Sequence, residues 1–342
     1  MPLPSAHVAT APRLVGRGDA LGEILDLAGT RPGAIVVVGE AGVGASRTTR
    51  EAAARLALDG SIVVPAEEPG PGAQRLEAAL REAGHTPDPA GASRLRPLVV
   101  LLGDRPGEPA LAGELARRLA GTRTLVLLTA REVPSDAPAV VLERLGRREG
   151  ALLADAASPG LEPAATHAIA ALGDGLPGRI VPLALAARRW KGGEAPLPVP
   201  AALRSWAHAR LEALEAWPRD LAGWVAVVSA PATPEAIARV CREGLPRIER
   251  GLEALVRAGV LEEIPPPPVT RWAFRDQLVR AVVSDDLGGA ELRRRHASAL
   301  VAGRSAGQEP AELLRHSLGA ADQPAVVSYR SEERRVGKEC RL

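Results

Sequence analysis

AIVVVGEAGVGASRTTR, residues 34 to 50, reads as a buried strand, a glycine-rich loop and the opening of a helix that continues to residue 58. Ala34 to Val38 is a short continuous apolar run, the pattern of a parallel strand covered on both faces. Gly39, Gly42 and Gly44 let the chain turn sharply and present backbone N–H groups at the start of the helix that Ser46 opens. The loop GEAGVGAS matches the phosphate-binding pattern G-x-x-x-x-G-K-[ST] at Gly39, Gly44 and Ser46. It departs from that pattern at Ala45, where a lysine would reach the outer phosphates; the Ser46 hydroxyl is the position that holds magnesium.

The chain has 342 residues, enough for two or three domains, and its 46% hydrophobic content can fill real cores. The scarcity of aromatic residues beside abundant Ala, Arg, Gly, Leu and Pro fits a GC-rich bacterial genome. No apolar run approaches the roughly 18 to 20 residues that cross a bilayer. The start MPLPSAHVATAPR lacks the order of a signal peptide, so a cytoplasmic protein without a membrane partner is expected. Cys241 and Cys340 lie far apart and the six histidines are scattered, which argues against zinc sites and a disulfide scaffold.

The last stretch, RSEERRVGKECRL from Arg330, breaks with the rest in composition and holds one of only two lysines, the other being Lys191. It resembles translated read-through of a sequencing adapter, so residues 330–342 are expected to be a non-native tail and the natural gene to continue past Tyr329. Five of the 43 Lys and Arg and three of the 41 Asp and Glu lie in it, which leaves 38 of each. The net charge of +2 therefore gives no support to nucleic-acid or membrane binding.

Outward from the loop, LVGRGDALGEILDLAG before it is an amphipathic helix with Leu21, Ile24, Leu25 and Leu27 on or near one face. After it, Ser61 to Val64, Pro97 to Leu102 and Thr124 to Thr129 are short apolar strands separated by helical stretches, one of them Ala110 to Leu119, and a weaker strand is expected at Ala151 to Ala154. This alternation predicts a doubly wound parallel sheet. Glu162 to Trp190 reads as helical apart from GDGLPG at Gly173 to Gly178, and Lys191 to Pro200 is a linker by composition. Beyond it, Leu221, Trp224, Val225 and Val228 fall at helical spacing. A short helix opens at Pro234, and another near Pro246 carries Ile248, Leu252, Leu255 and Val256 to Gly259. VLEEI and TRWAF then flank four prolines, giving three helices and a β-hairpin, the order of a winged helix. Residues 276 to 329 are expected to be helical.

In order, GRGDAL, GEAGVGAS, an apolar strand ending in an acid, TAR after the next strand, a GLP turn and the winged-helix pattern resemble the STAND class of signal-transduction ATPases with numerous domains, relatives of AAA+ proteins. VPAALRSWAHARLEALEAWPRDL, LEALVRAGVLEE, FRDQLVRAVV and RRRHASAL are similar to the winged-helix and following helical region of such regulators, and the resemblance covers roughly Leu14 to Gly303. It implies an α/β P-loop NTPase domain with an AAA+-like doubly wound parallel sheet over 13–155, after a disordered 1–12. A helical lid and linker over 156–196, a winged-helix domain over 197–275 and the start of an α-helical repeat region over 276–329 would follow. It further implies Gly16 and Arg17 near an adenine, Gly39, Gly42, Gly44, Ala45, Ser46 and Arg47 around the phosphates, Pro177 with Gly175 closing the lid, Arg131 at a sensor position, and Ser46 with Asp104 at a magnesium ion.

The departures from the family pattern are chemical. Ala45 replaces the lysine, and the acidic pair after the third strand is Gly103 and Asp104. Each missing charge-stabilising group costs phosphoryl transfer about two to three orders of magnitude. No lysine precedes Lys191, and Arg47, two residues past Ala45, points about 160° away on a helix. The backbone N–H nest remains, so ATP or ADP binding with magnesium is expected to be weakened and hydrolysis weak or lost. The sequence thus favours the nucleotide-binding module of a bacterial signalling or transcriptional regulator, with protein partners or self-assembly through the helical region. An active ATPase with an unusual loop and a winged-helix DNA-binding protein are the alternatives. Arg247, Arg250 and Arg257 alternate with Glu249 and Glu253, so the candidate recognition helix is expected to lack a one-signed basic face, and DNA binding is expected only through a module outside this chain.

Overall fold

The structure, a computed structural model, describes residues 13–66, 72–82, 84, 97–102, 108–190, 197–228, 232–264 and 270–330. The expected disordered segment 1–12, Gly103 with Asp104, residues 191–196 of the linker, the four prolines and residues 331–342 of the tail lie outside the described residues. The chain divides into two compact units, Met1–Trp190 and Lys191–Leu342.

The first unit runs α1 (Gly18–Gly29), β1 (Ala34–Val38), α2 (Ala45–Leu58), β2 (Ile62–Ala66), α3 (Gly72–Glu82), β3 (Leu98–Leu102), α4 (Glu108–Leu119), β4 (Thr124–Ala130) and β5 (Ala139–Val141), then α5 (Arg147–Ala157), α6 (Pro163–Gly173) and α7 (Pro177–Ala186). The five strands are all parallel, in the order β2-β3-β4-β1-β5. Alternate side chains of each strand face opposite sides of the sheet. Ala34, Val36 and Val38 pack with Leu80, Leu115 and Leu119 of α3 and α4. Ile35 and Val37 pack with Leu21, Ile24, Ala52 and Ala53 of α1 and α2. Every residue of β1 is therefore buried, which is why its sequence is a continuous apolar run. The result is a doubly wound, AAA+-like α/β P-loop NTPase fold, with β1 inside the sheet and its loop leading straight into α2.

The strand expected at Ala151 to Ala154 is instead part of α5. An apolar run of four cannot by itself separate strand from helix, and here Glu149 bonds back to the Gly146 N–H at 2.9 Å and starts a helix upstream of the run. The fifth strand is Ala139–Val141, only three residues long and paired with β1. The segment after Glu162 is helical, and α5, α6 and α7 pack on one another.

The second unit contains α8 (Ala201–Glu212), α9 (Ala216–Val227), α10 (Pro234–Cys241), α11 (Leu245–Arg257), the antiparallel hairpin β6 (Leu261–Ile264) and β7 (Arg271–Phe274), and then α12 (Gln277–Asp286), α13 (Gly288–Ala306) and α14 (Pro310–Ala320). Its core joins Leu221, Val225 and Val228 to Ile237, Ile248, Leu252, Leu255 and Phe274. Asp276 caps α12 by accepting the Leu278 N–H at 2.9 Å. No helix among the described residues is long and apolar enough to cross a membrane.

Candidate functional site

The loop between β1 and α2 is fixed at both ends by its own backbone. The Gly39 N–H donates to the Ala130 carbonyl at the end of β4, at 2.9 Å, and the Val43 N–H donates to Glu40 O. Gly44 caps α2 with φ of 102°, a left-handed conformation that a side chain would strain. The N–H groups of Gly44, Ala45 and Ser46 find no acceptor among the described residues and stand open at the positive end of a 14-residue helix.

This loop lines a cavity of about 400 Å³. Of the residues expected to bind nucleotide, Arg17, Gly39, Gly42, Gly44, Ala45, Ser46, Arg47 and Pro177 all line it. Arg17 is 8% exposed, and one of its nitrogens donates to the Val43 carbonyl at 2.9 Å, tying the segment before α1 to the loop. Burial lowers its pKa, and the nearby Glu149 partly offsets that shift. Its Nε has no partner, and neither has Oγ1 of Thr129, which is 3% exposed and lines the same cavity at the end of β4. Two buried polar atoms without partners in one cavity fit a site that receives a polar ligand.

The start of α7 meets the loop through small residues. The Gly178 N–H donates to the Gly42 carbonyl at 2.8 Å, and a Cβ on Gly178 would fall 2.9 Å from Gly42 Cα, so only glycine permits this approach. Pro177 packs beside Gly44, where a Cβ would meet its ring at 3.6 Å. Arg144, just past β5, bonds to both carboxylate oxygens of Glu40 in the loop, one of them at 2.8 Å, and also to Asp174 in the turn before α7. These bonds, the one to Glu40 foremost, raise the Arg144 pKa. The sequence carried no signal for this bridge, because its three residues lie in three separate segments.

Arg131 follows the end of β4, exposed, and is not among the residues lining the cavity; Thr129, two residues earlier, is. Glu40 of the same loop lines it too, and Arg13, Thr48, Arg50 and Gly178 line it without a signal in the sequence. Ser46, at the start of α2, is the one magnesium ligand expected from the sequence that falls among the described residues, and no group of three or more His, Cys, Asp or Glu there could hold a metal ion. The loop thus fits a phosphate through its backbone, while a methyl group stands where a charged amine would neutralise it.

In the second unit, Arg247, Arg250 and Arg257 of α11 line one groove with Gly251, Ala254 and Ala258, whereas Glu249 and Glu253 do not. At about 100° per residue the two glutamates fall in the sector beside the arginines, Glu253 about 40° from Arg257, and Arg247 is itself paired with Glu243 at 2.8 Å, so this side of α11 carries both signs. Glu215 is the groove's acidic member, and Arg247 already covers the Trp217 ring at 3.9 Å.

No protein-family model matches the chain, and no curated protein matches it. Solved structures do. A signal transduction ATPase with numerous domains and a tetratricopeptide repeat sensor, from Pyrococcus horikoshii, is similar over 92% of this chain and 49% of its own, at 16% identity and a TM-score of 0.36. The chain therefore spans about half the length of that protein. The RuvB Holliday junction branch migration motor of Thermotoga maritima is similar over 73% of this chain and 90% of its own, at 16% identity and a TM-score of 0.38. A DNA replication initiation factor is similar over 85% and 95%, at 12% identity and a TM-score of 0.37. The fold assignment rests on strand order and loop placement rather than on these alignments.

Proposed function

We propose that the first unit is the nucleotide-binding module, of AAA+ and STAND type, of a bacterial signalling or transcriptional regulator, and that it binds ATP or ADP while hydrolysing ATP weakly or not at all. The observation that carries this reading is the open N–H cluster at Gly44, Ala45 and Ser46, facing a cavity that also holds the partnerless polar atoms of Arg17 and Thr129. Backbone donors at a helix N-terminus bind phosphate without a lysine. Transition-state charge, however, needs cations placed in advance, and Ala45 supplies none. In the second unit, α9 to α11 with the β6–β7 hairpin are read as a winged helix that packs internally. The helices α12 to α14 are read as the start of a repeat region for a protein partner or self-assembly. Equilibrium dialysis against labelled ATP, followed by an assay for released phosphate, tests the proposal. Bound nucleotide with little or no turnover is expected, and either rapid, sustained phosphate release or no bound nucleotide would contradict it.

A second reading, nucleic-acid binding, rests on the arginine groove of α11. Duplex binding that weakens steeply with added salt and is lost in Arg250→Glu would favour it.

A further inference from the structure

Resting on the nucleotide reading, we infer that Arg50, on the Ser46 face of α2, is the cation that meets the bound phosphates where a working loop holds magnesium, and that nucleotide binding here is therefore independent of magnesium. Ser46 and Arg50 are four residues apart on α2 and so lie on one face of the helix, about 6 Å apart along its axis. Side chains on a helix lean toward its N-terminus, so the Arg50 guanidinium has the reach to meet a ligand at the Ser46 end, where the open N–H groups collect. Arg50 is exposed, lines the cavity with Ser46, and makes no ion pair or hydrogen bond among the described residues. Arg47 differs: it lies half-buried with Glu51 at 3.8 Å, and Glu51 also pairs with Arg55 at 3.5 Å.

The helix end alone would not make a site. The cavity is marked independently by Arg17, 8% exposed with an Nε that has no acceptor, and by the partnerless Thr129 hydroxyl. A guanidinium drawn to Ser46 by bound phosphate would take the position where a working loop places its metal ion; it offers several N–H donors to phosphate oxygens and is always charged. It can therefore neutralise the phosphates and also disfavour a second cation beside the same hydroxyl.

Calorimetric titration of the full chain with ADP and ATP, in magnesium chloride and separately in EDTA, tests this, with Arg50→Ala, Arg55→Ala and the double variant Arg50→Ala/Ala45→Lys alongside. The expected result is a Kd that agrees within about twofold with and without magnesium. It should rise about tenfold to a hundredfold in Arg50→Ala, the loss of one charged hydrogen bond, and stay unchanged in Arg55→Ala. The double variant should regain affinity and become magnesium-dependent, which also shows that Arg50→Ala still folds. Binding that needs magnesium, or that Arg50→Ala leaves intact, overturns the role of Arg50 while the nucleotide reading stands. Absence of binding by the native chain in every condition overturns both.

Discussion

Thr129 and Arg131 are two residues apart on and just past β4, and the structure separates them by position. The Thr129 hydroxyl is buried in the cavity wall without a partner, while Arg131 is exposed and outside the lining. A buried hydroxyl without a hydrogen bond costs about 1–3 kcal/mol. Thr129→Val, close in shape, is expected to raise the stability of the free protein by about 1 kcal/mol in chemical denaturation while weakening nucleotide binding. Arg131→Ala should leave binding within about twofold, in keeping with surface substitutions generally. A destabilised Thr129→Val would mean that the hydroxyl has a partner in solution. The sequence named the TAR motif but not which residue of it faces the cavity, because that depends on where β4 ends relative to β1. Arg50 was overlooked for a related reason. It stands five residues past Ala45 in the chain, and only the helix sets it one turn beyond Ser46 on the same face.

Elements were legible wherever burial dictates a pattern. The strands β1 to β4 are apolar runs because helices cover both faces of the sheet, α10 and α11 show the spacing of a single buried stripe, and α9 is buried nearly all round. What could not be read are polar contacts between distant helices. His296 on α13 and His316 on α14 face each other with their Nδ1 atoms 3.1 Å apart, and Arg315 donates to His316 Nε2 at 2.9 Å. Since Arg315 can only donate, His316 must carry its proton on Nδ1 and give it to His296, so the pair holds only while both rings are neutral. Burial, and then repulsion from Arg315, push His296 down to about 4 and His316 down to about 3; Arg280 adds to the first and His296 to the second, while Glu312 opposes the second. The unfolded chain takes up these protons near the ordinary value of about 6.5. The pair's contribution is thus whole above that pH and is lost as pH falls through 6.5 toward 4 and 3. Denaturation midpoints measured from pH 7.5 to 4.5 should fall in the native chain and fall less in His296→Leu/His316→Leu. Equal slopes would show that the pair does not set acid stability. Arg295 also has to be seen in the structure to be understood. Buried at 3% exposure, it bonds Glu291 on its own helix at 2.7 Å and the Asp220 carbonyl of α9 at 2.9 Å. Its bonds, with the stronger one from Arg294, hold the Glu291 carboxyl down to about 2.

For the whole molecule, the division at Trp190 gives each unit its own apolar core, so each has the means to unfold as a cooperative body. A ligand that binds only the folded first unit stabilises that unit by mass action, by about 2.7 kcal/mol at a hundred times its Kd, and leaves the second unit's transition where it was. Ala45 decides whether this happens. The loop keeps its glycines, its helix and its open N–H groups, and has lost only the amine that a phosphate would pair with. The most direct test of that claim is a thermal-shift titration of the full chain with ATP and ADP beside an Ala45→Lys variant. The account predicts an upward shift of one transition in the native chain and a larger shift of the same transition in the variant. It would be contradicted by a native chain whose melting does not move at saturating nucleotide, and most plainly if Ala45→Lys does not move either.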